Sequence, residues 1–248
     1  MSTLRTVDRT FLILRMIADH PNGVGVNAIA RATDLPSSTA SRILSALEGW
    51  EAVFRTDDNR FHIGPELVRL VQQQPFTQNL TALARPILQT IADTTEEAIA
   101  LCVLDDHQTY YLDHIQSSQA VRVRDWTGER LPLHVAAPGK IFLAYASPEF
   151  VDTVLTQPLT QYARQTILST EKLRAQLQQI RVSGYSVSDE EYAEGVLGFG
   201  VPVKDADHQV VAAFNLYGPK FRLEDPKKQE KIIQILLESA AELEERLM

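Results

Sequence analysis

The chain has 248 residues, of which 44% are hydrophobic and 23% charged, with a formal charge of −8. That length suits two domains and that composition an ordinary soluble globular protein. No apolar run approaches ~18 residues and the N-terminus lacks an apolar signal core, so neither a membrane-spanning helix nor a secretory leader is expected. The single cysteine, Cys102, cannot form an intrachain disulfide and fits a reducing cytoplasm.

Residues 4–20 carry Val7, Phe11, Leu14 and Ile17 along one stripe and form a helix. Residues 26–33 form a second helix with Ile29 and Ala30 inward, and a turn runs through Asp34 and Leu35. Pro36 stands where a helix start tolerates a missing N–H. Ser37, Ser38 and Thr39 crowd the next helix start with hydroxyls able to cap it or to donate to phosphates. Ile43, Leu44 and Leu47 recur at helical spacing, and the opposite face holds Ser37, Ser38, Ser41, Arg42 and Ser45. A solvated face usually carries Glu and Lys pairs; short hydroxyls with one Arg suit close approach to a duplex groove. Val53–Arg55 and Arg60–Ile63 then flank a polar turn, which makes a hairpin wing. The pattern is a winged helix–turn–helix over residues 1–64; the blander alternative is a small helical domain with a polar surface.

The candidate contacts to double-stranded DNA are Arg5, Arg9, Ser37, Ser38, Thr39, Ser41, Arg42, Arg55 and Arg60. Residues 1–64 hold seven Arg, no Lys and seven acidic residues, so the segment is neutral and all the net acidity lies beyond it. A lone electrostatic DNA binder would be basic. Affinity is therefore expected from two heads acting together in a dimer, with Phe11 and the helix at 65–75 in the contact.

Residues 65–75 are a glutamine-rich linker helix ended by Pro75. Residues 76–94 are a helix interrupted at Pro86, with Leu80, Leu83, Ile87 and Ile91 on one stripe. Runs at 98–104 and 109–115 make a hairpin, and 120–124 alternates as a third strand. Helices follow at 139–146, 149–155 and Thr170–Ser183. Strands come next, one beginning at Tyr185, then Val196–Lys204 and 209–217, with an amphipathic helix at 225–248. Helices on a mainly antiparallel sheet make residues 76–248 an α+β domain.

Three blocks resemble the IclR family of bacterial transcriptional regulators: SSTASRILSALE in the reading head, LPLHVAAPGKIFLA at 131–144, and GYSVSDEEYAEGVLGFGVPVKDADHQVVAAFNLYGP at 184–219. The resemblance covers essentially the whole chain. It implies a GAF-like effector-binding second domain, a homodimer or tetramer, operator DNA and a small-molecule effector as partners, and no cofactor. It also implies where the effector sits. Ala137, Pro138 and Gly139 precede a helix whose start offers backbone N–H groups to a carboxylate; an ordinary loop-to-helix junction is the alternative. Leu131 stands at an apolar wall, and Ala120 and Val123 on a strand facing the pocket. Departures from the family pattern are Ser188 for an acid, Gly198 for a cysteine, and Asn215 and Tyr217 for two serines. With Trp126 and Phe199 they add aromatic surface and remove a charge, so the effector is expected to be a carboxylate or an aromatic metabolite.

The alternative is an enzyme with a helical interaction module. Lys140 and Cys102 are the evident nucleophiles, and neither has a base at a recognisable spacing. Cys102 sits in an apolar run and reads as a structural thiol; Lys140 reads as a tether to a carboxylate or helix end. The histidines lack zinc-ligand spacing, and Asp189, Glu190, Glu191 and Glu194 read as a solvated face. No catalytic or metal-binding residue is assigned.

Overall fold

The computed structural model describes residues 5–72 and 76–247. The expected end of the linker helix at 73–75 lies outside the described residues, as does the side chain of Arg5. The chain divides into two compact units, Met1–Phe76 and Thr77–Met248.

In the first unit α1 (Arg5–Ala18), α2 (Val26–Ala32) and α3 (Ser37–Gly49) are followed by the wing strands β2 (Val53–Arg55) and β3 (Arg60–Ile63), then α4 (Pro65–Gln72). A two-residue strand β1 (Val24–Gly25), too short to show a pattern in sequence, completes a sheet in the order β1-β3-β2. The tight turn after α2 depends on Asp34 at φ +50°, and the Leu35 N–H reaches back to the Ala30 carbonyl at 2.9 Å. Ile13, Ile17, Ile29, Leu44, Leu47 and Phe61 make the core, with Leu67 of α4 packed against it. The stripe expected on α1 is shifted. Ile13 and Ile17 are buried, whereas Val7 and Phe11 belong to a face the unit does not cover and are exposed. The hydroxyls of Ser37, Ser38 and Thr39 do not cap α3. Its N-cap is Pro36, whose carbonyl accepts from the Thr39 and Ala40 N–H groups.

The second unit is one six-stranded antiparallel sheet, order β6-β5-β4-β9-β8-β7, covered on both faces. Its strands are β4 (Ala98–Asp105), β5 (Gln108–Ile115), β6 (Arg130–Pro132), β7 (Ser186–Asp189), β8 (Val196–Lys204) and β9 (Val210–Pro219). On one face Ile99, Leu101, Phe199, Val201, Phe214 and Leu216 pack against α5 (Phe76–Thr95) and α10 (Pro226–Leu247). The other face is built of small residues: Ala98, Ala100, Cys102, Gly198, Gly200 and Ala213. That leaves room for α6 (Ala137–Tyr145), backed by α7 (Pro148–Leu155) and α8 (Thr170–Ser183). A one-turn helix α9 (Lys220–Leu223) precedes α10.

Two expectations fail here. Helix α5 runs unbroken through Pro86. Ala84, Ile87, Leu88 and Ile91 on either side are all buried against the sheet, and that burial outweighs one lost hydrogen bond. Residues 120–124 form no strand. The outer edge of β5 is taken by β6, with Thr109 opposite Leu131, and Val121 is exposed. A feature invisible in the sequence is a slip of register between Leu101 and Cys102, where Leu112 is the extra residue on β5. Such a bulge resets the alternation of side chains. It puts Tyr111, opposite Cys102, and His114, opposite Ala100, on the same face as α6.

Candidate effector cavity and nucleic-acid interface

In the first unit, Ala40, Leu44 and Leu47 anchor α3 to the core. Ser38, Ser41, Arg42 and Ser45 lie on its outer side, and all are exposed. Arg42 and Thr39 also share a groove with Arg9 of α1, so three of the expected DNA contacts are brought together. The wing arginines differ. Arg55 is exposed, its guanidinium 5.6 Å from the Phe61 ring. Arg60 is engaged within its own unit, donating to the Gly23 carbonyl at 3.0 Å and pairing with Asp58 at 3.1 Å.

In the second unit α6 begins hard against the sheet. A Cβ at Gly139 would lie 2.4 Å from the Leu133 carbonyl oxygen, and one at Gly200 2.9 Å from the Ala137 carbonyl carbon. Both glycines are thus required by close approach of backbones. Two β7 hydroxyls complete the join: Ser186 donates to the Ala137 carbonyl and Ser188 to the Val135 carbonyl, each at 2.7 Å. Beside this junction lies a small cavity of about 40 Å³, open on one side to solvent. Trp126, Leu131, Ala137, Ser188, Gly198, Asn215 and Tyr217 line it. The other expected residues do not. Ala120 is exposed, Val123 is half-buried in the loop that replaces the expected strand, and Pro138 and Gly139 are buried in the helix–sheet contact. Phe199 faces the opposite side of the sheet.

The lining includes residues that the sequence did not single out. Tyr111 arrives through the β5 bulge. Tyr192 and Ala193 follow Glu191, whose residue is 5% exposed and so not part of a solvated face. No lining residue is charged. Asn215 Nδ2 donates to the Tyr111 hydroxyl at 3.1 Å, and Asn215 Oδ1 is buried with no partner. Burial holds the phenols of Tyr111 and Tyr217 above their ordinary range, so both stay neutral. Trp126 stands between Tyr192, edge-on at 5.2 Å, and the Arg124 guanidinium, 4.2 Å from its ring. The loop carrying Trp126 is tied down by Asp125, 3.2 Å from Nδ1 of His114, and that imidazole stacks on Tyr217.

Cys102 is buried in this same face, where loss of solvent raises its thiol far above the usual range and leaves it unreactive. Lys140, fully buried, pairs with Glu191 at 2.6 Å. Among the described residues no group of three or more His, Cys, Asp or Glu is placed to hold a metal ion, and no helix is long and apolar enough to cross a membrane.

A winged helix–turn–helix joined to a sheet domain with an uncharged ligand cavity is the build of a ligand-responsive transcriptional regulator. Comparison with known proteins names the family. The profile of the bacterial transcriptional regulator IclR C-terminal domain matches residues 75–245, and that of the IclR helix–turn–helix domain residues 6–56. The chain belongs to the IclR family: a DNA-binding transcriptional regulator with an effector-binding C-terminal domain. The acetate operon repressor of Salmonella typhimurium is 29% identical over 92% of this chain and 84% of its own length. An IclR-type regulator from a Silicibacter species superposes with a TM-score of 0.77, at 27% identity over 98% of this chain and 95% of its own. An IclR homologue from Microbacterium hydrocarbonoxydans, crystallised with 4-hydroxybenzoate, gives 0.65 at 26% identity, covering 98% of each chain.

Proposed function

We propose that the cavity takes a small carboxylate and that its occupancy sets the operator affinity of a self-associated protein. One observation carries the effector class: an uncharged cavity is bordered by Ala137 at the first turn of α6. The first N–H groups of a helix have no intrahelical acceptor, and the dipole there favours an anion. Pro138 has no N–H to give and Gly139 is turned into the helix–sheet contact, so the seat rests on the Ala137 N–H. Leu131 and Tyr217 supply the apolar walls. The Microbacterium relative's ligand is itself a carboxylate, in keeping with this reading.

The DNA contacts belong to Ser38, Ser41 and Arg42 of α3, supported by Arg9 and Arg55. Self-association uses Val7, Phe11 and Leu12 of α1 with Val68 and Leu70 of α4, which are 47–63% exposed. Large apolar side chains left exposed in this way suit an interface. We read the protein as working in the cytoplasm, without catalysis of its own. Calorimetry of small acids against their neutral amides tests the seat. The acid is expected to bind more tightly, because charge-assisted hydrogen bonds are the stronger; equal affinity rules the seat out.

A further inference from the structure

We propose that the effector carries a hydroxyl one or two carbons from its carboxylate, and that Tyr111 and Asn215 together select it. This rests on the carboxylate reading above. The selection follows from counting donors and acceptors. Asn215 Nδ2 donates to the Tyr111 hydroxyl oxygen. Asn215 Oδ1 is then an acceptor with no partner, in a residue only 4% exposed. The Tyr111 hydroxyl proton is likewise left without an acceptor. The pair therefore presents one free acceptor and two free donors, the phenol proton and the second Nδ2 proton. Turning the amide over exchanges the roles and keeps the count: Tyr111 donates to Oδ1, both Nδ2 protons become the free donors, and the phenol oxygen the free acceptor.

A hydroxyl gives one hydrogen bond and takes another at a single atom. An oxo group only accepts, and a methyl group does neither. A buried polar group left unmatched costs its desolvation, and sites built around a substrate hydroxyl reject analogues that lack it. Gly198, which also lines the cavity, borders this acceptor: a Cβ added there would lie 3.4 Å from Asn215 Oδ1.

The sheet sets the spacing. Asn215 and Gly200 are register partners on β9 and β8, and Ala137 sits directly over Gly200. The α6 start and Asn215 thus stand over neighbouring strands, offset by one strand spacing, ~4.8 Å, across the sheet. A carboxylate at one and a hydroxyl at the other fit a 2-hydroxy or 3-hydroxy acid.

Calorimetry on the full chain decides, with propanoate, 2-hydroxypropanoate, butanoate and 3-hydroxybutanoate as probes. At least one hydroxy acid is expected to bind about tenfold or more tightly than its parent acid. In Asn215→Ala and in Tyr111→Phe that advantage over the parent acid is expected to vanish. Parent acids binding as tightly as their hydroxy forms overturn the hydroxyl assignment and leave the carboxylate seat standing. An advantage that survives both substitutions overturns it too. Binding by none of the four overturns the seat and this inference together. Circular dichroism checks each variant; if Tyr111→Phe does not fold, Asn215→Ala carries the test.

Discussion

Lys140 and Glu191 meet inside the second unit, Nζ to Oε1 at 2.6 Å, with side chains 0% and 6% exposed. The ammonium also donates to the Val187 carbonyl and, at 3.3 Å, to Gln176 Oε1, so all three of its protons are used. Burial pushes the lysine down and the glutamate up, and the contact between them opposes both shifts. The pair joins α6 to the segment bearing Tyr192 and Ala193, which line the cavity, and Thr166 adds a hydrogen bond to the Glu191 carbonyl at 2.6 Å.

Removing one partner strands the other. Lys140→Met is expected to destabilise the protein by ~3–5 kcal/mol, because it leaves a buried carboxylate unpaired. Lys140→Met combined with Glu191→Leu is expected to recover at least half of that loss. Urea unfolding measures both. A double variant no more stable than the single one would show that the pair contributes more than mutual neutralisation.

His114 and His134 make stability depend on pH. Burial is the main cause holding each imidazole below its ordinary pKa, against the opposing pull of Asp125 on one and of the Thr160 carbonyl on the other. His114 Nε2 is buried without a partner, so a proton there would be a buried orphan donor. For bases whose folded pKa is depressed, the unfolded chain takes up more protons as pH falls. The stabilisation is therefore complete above the unfolded value, ~6.5, and is lost as pH drops through it toward the folded values. The urea midpoint is expected to be flat above neutrality and to fall from there to mildly acidic pH, with His114→Gln flattening part of the slope. A midpoint unchanged across that interval removes both histidines from the account.

Much of this was readable in the sequence. Every helix of the reading head, the wing, and strands such as Val196–Lys204 follow from periodicity and punctuation, because one buried face dictates each pattern. What escaped the sequence depended on contacts distant in the chain. Residues 120–124 alternate like a strand, yet their slot beside β5 is filled by Arg130–Pro132, a three-residue segment with no pattern of its own. Tyr111 reaches the cavity only because of a one-residue bulge. The acidic run 189–191 looked solvated because its partner, Lys140, lies 51 residues away from Glu191 in sequence. On α1 the exposed Phe11 was legible as apolar, but not as uncovered by its own unit.

Gly200 shows how closely α6 is seated. A methyl group there would lie 2.6 Å from Ser186 Oγ and 2.9 Å from the Ala137 carbonyl carbon. Ser186 can turn only by giving up its bond to the Ala137 carbonyl, and the backbone cannot yield without lifting the helix. Gly200→Ala is expected to cost ~1–3 kcal/mol of stability, as overpacking does, and to weaken effector binding by displacing the helix start. Gly198→Ala, where the nearest atom would be 3.4 Å away, is expected to be far milder. Thermal unfolding of the two variants side by side reads the difference, and equal losses would contradict the tight seat at Gly200.

The arginines of the reading head divide by their partners. Arg42 is exposed on the outer side of α3, whereas the Arg60 guanidinium is already held by Asp58 and the Gly23 carbonyl. Arg42→Ala is expected to weaken binding to a duplex selected from a random library by ~1–3 kcal/mol. If the contact is to a guanine, discrimination at one base pair relaxes; if it is to a phosphate, affinity falls evenly across sequences and the salt dependence drops by about one ion. Arg60→Ala is expected to change affinity by less than about twofold, because its charge is offset by Asp58 and its guanidinium is turned toward the Gly23 carbonyl. Its effect should appear in stability instead, through the lost tie between β3 and the Gly23 turn. Gel shifts at two salt concentrations separate these outcomes. A large loss on Arg60→Ala with none on Arg42→Ala would move the DNA contact from α3 to the wing.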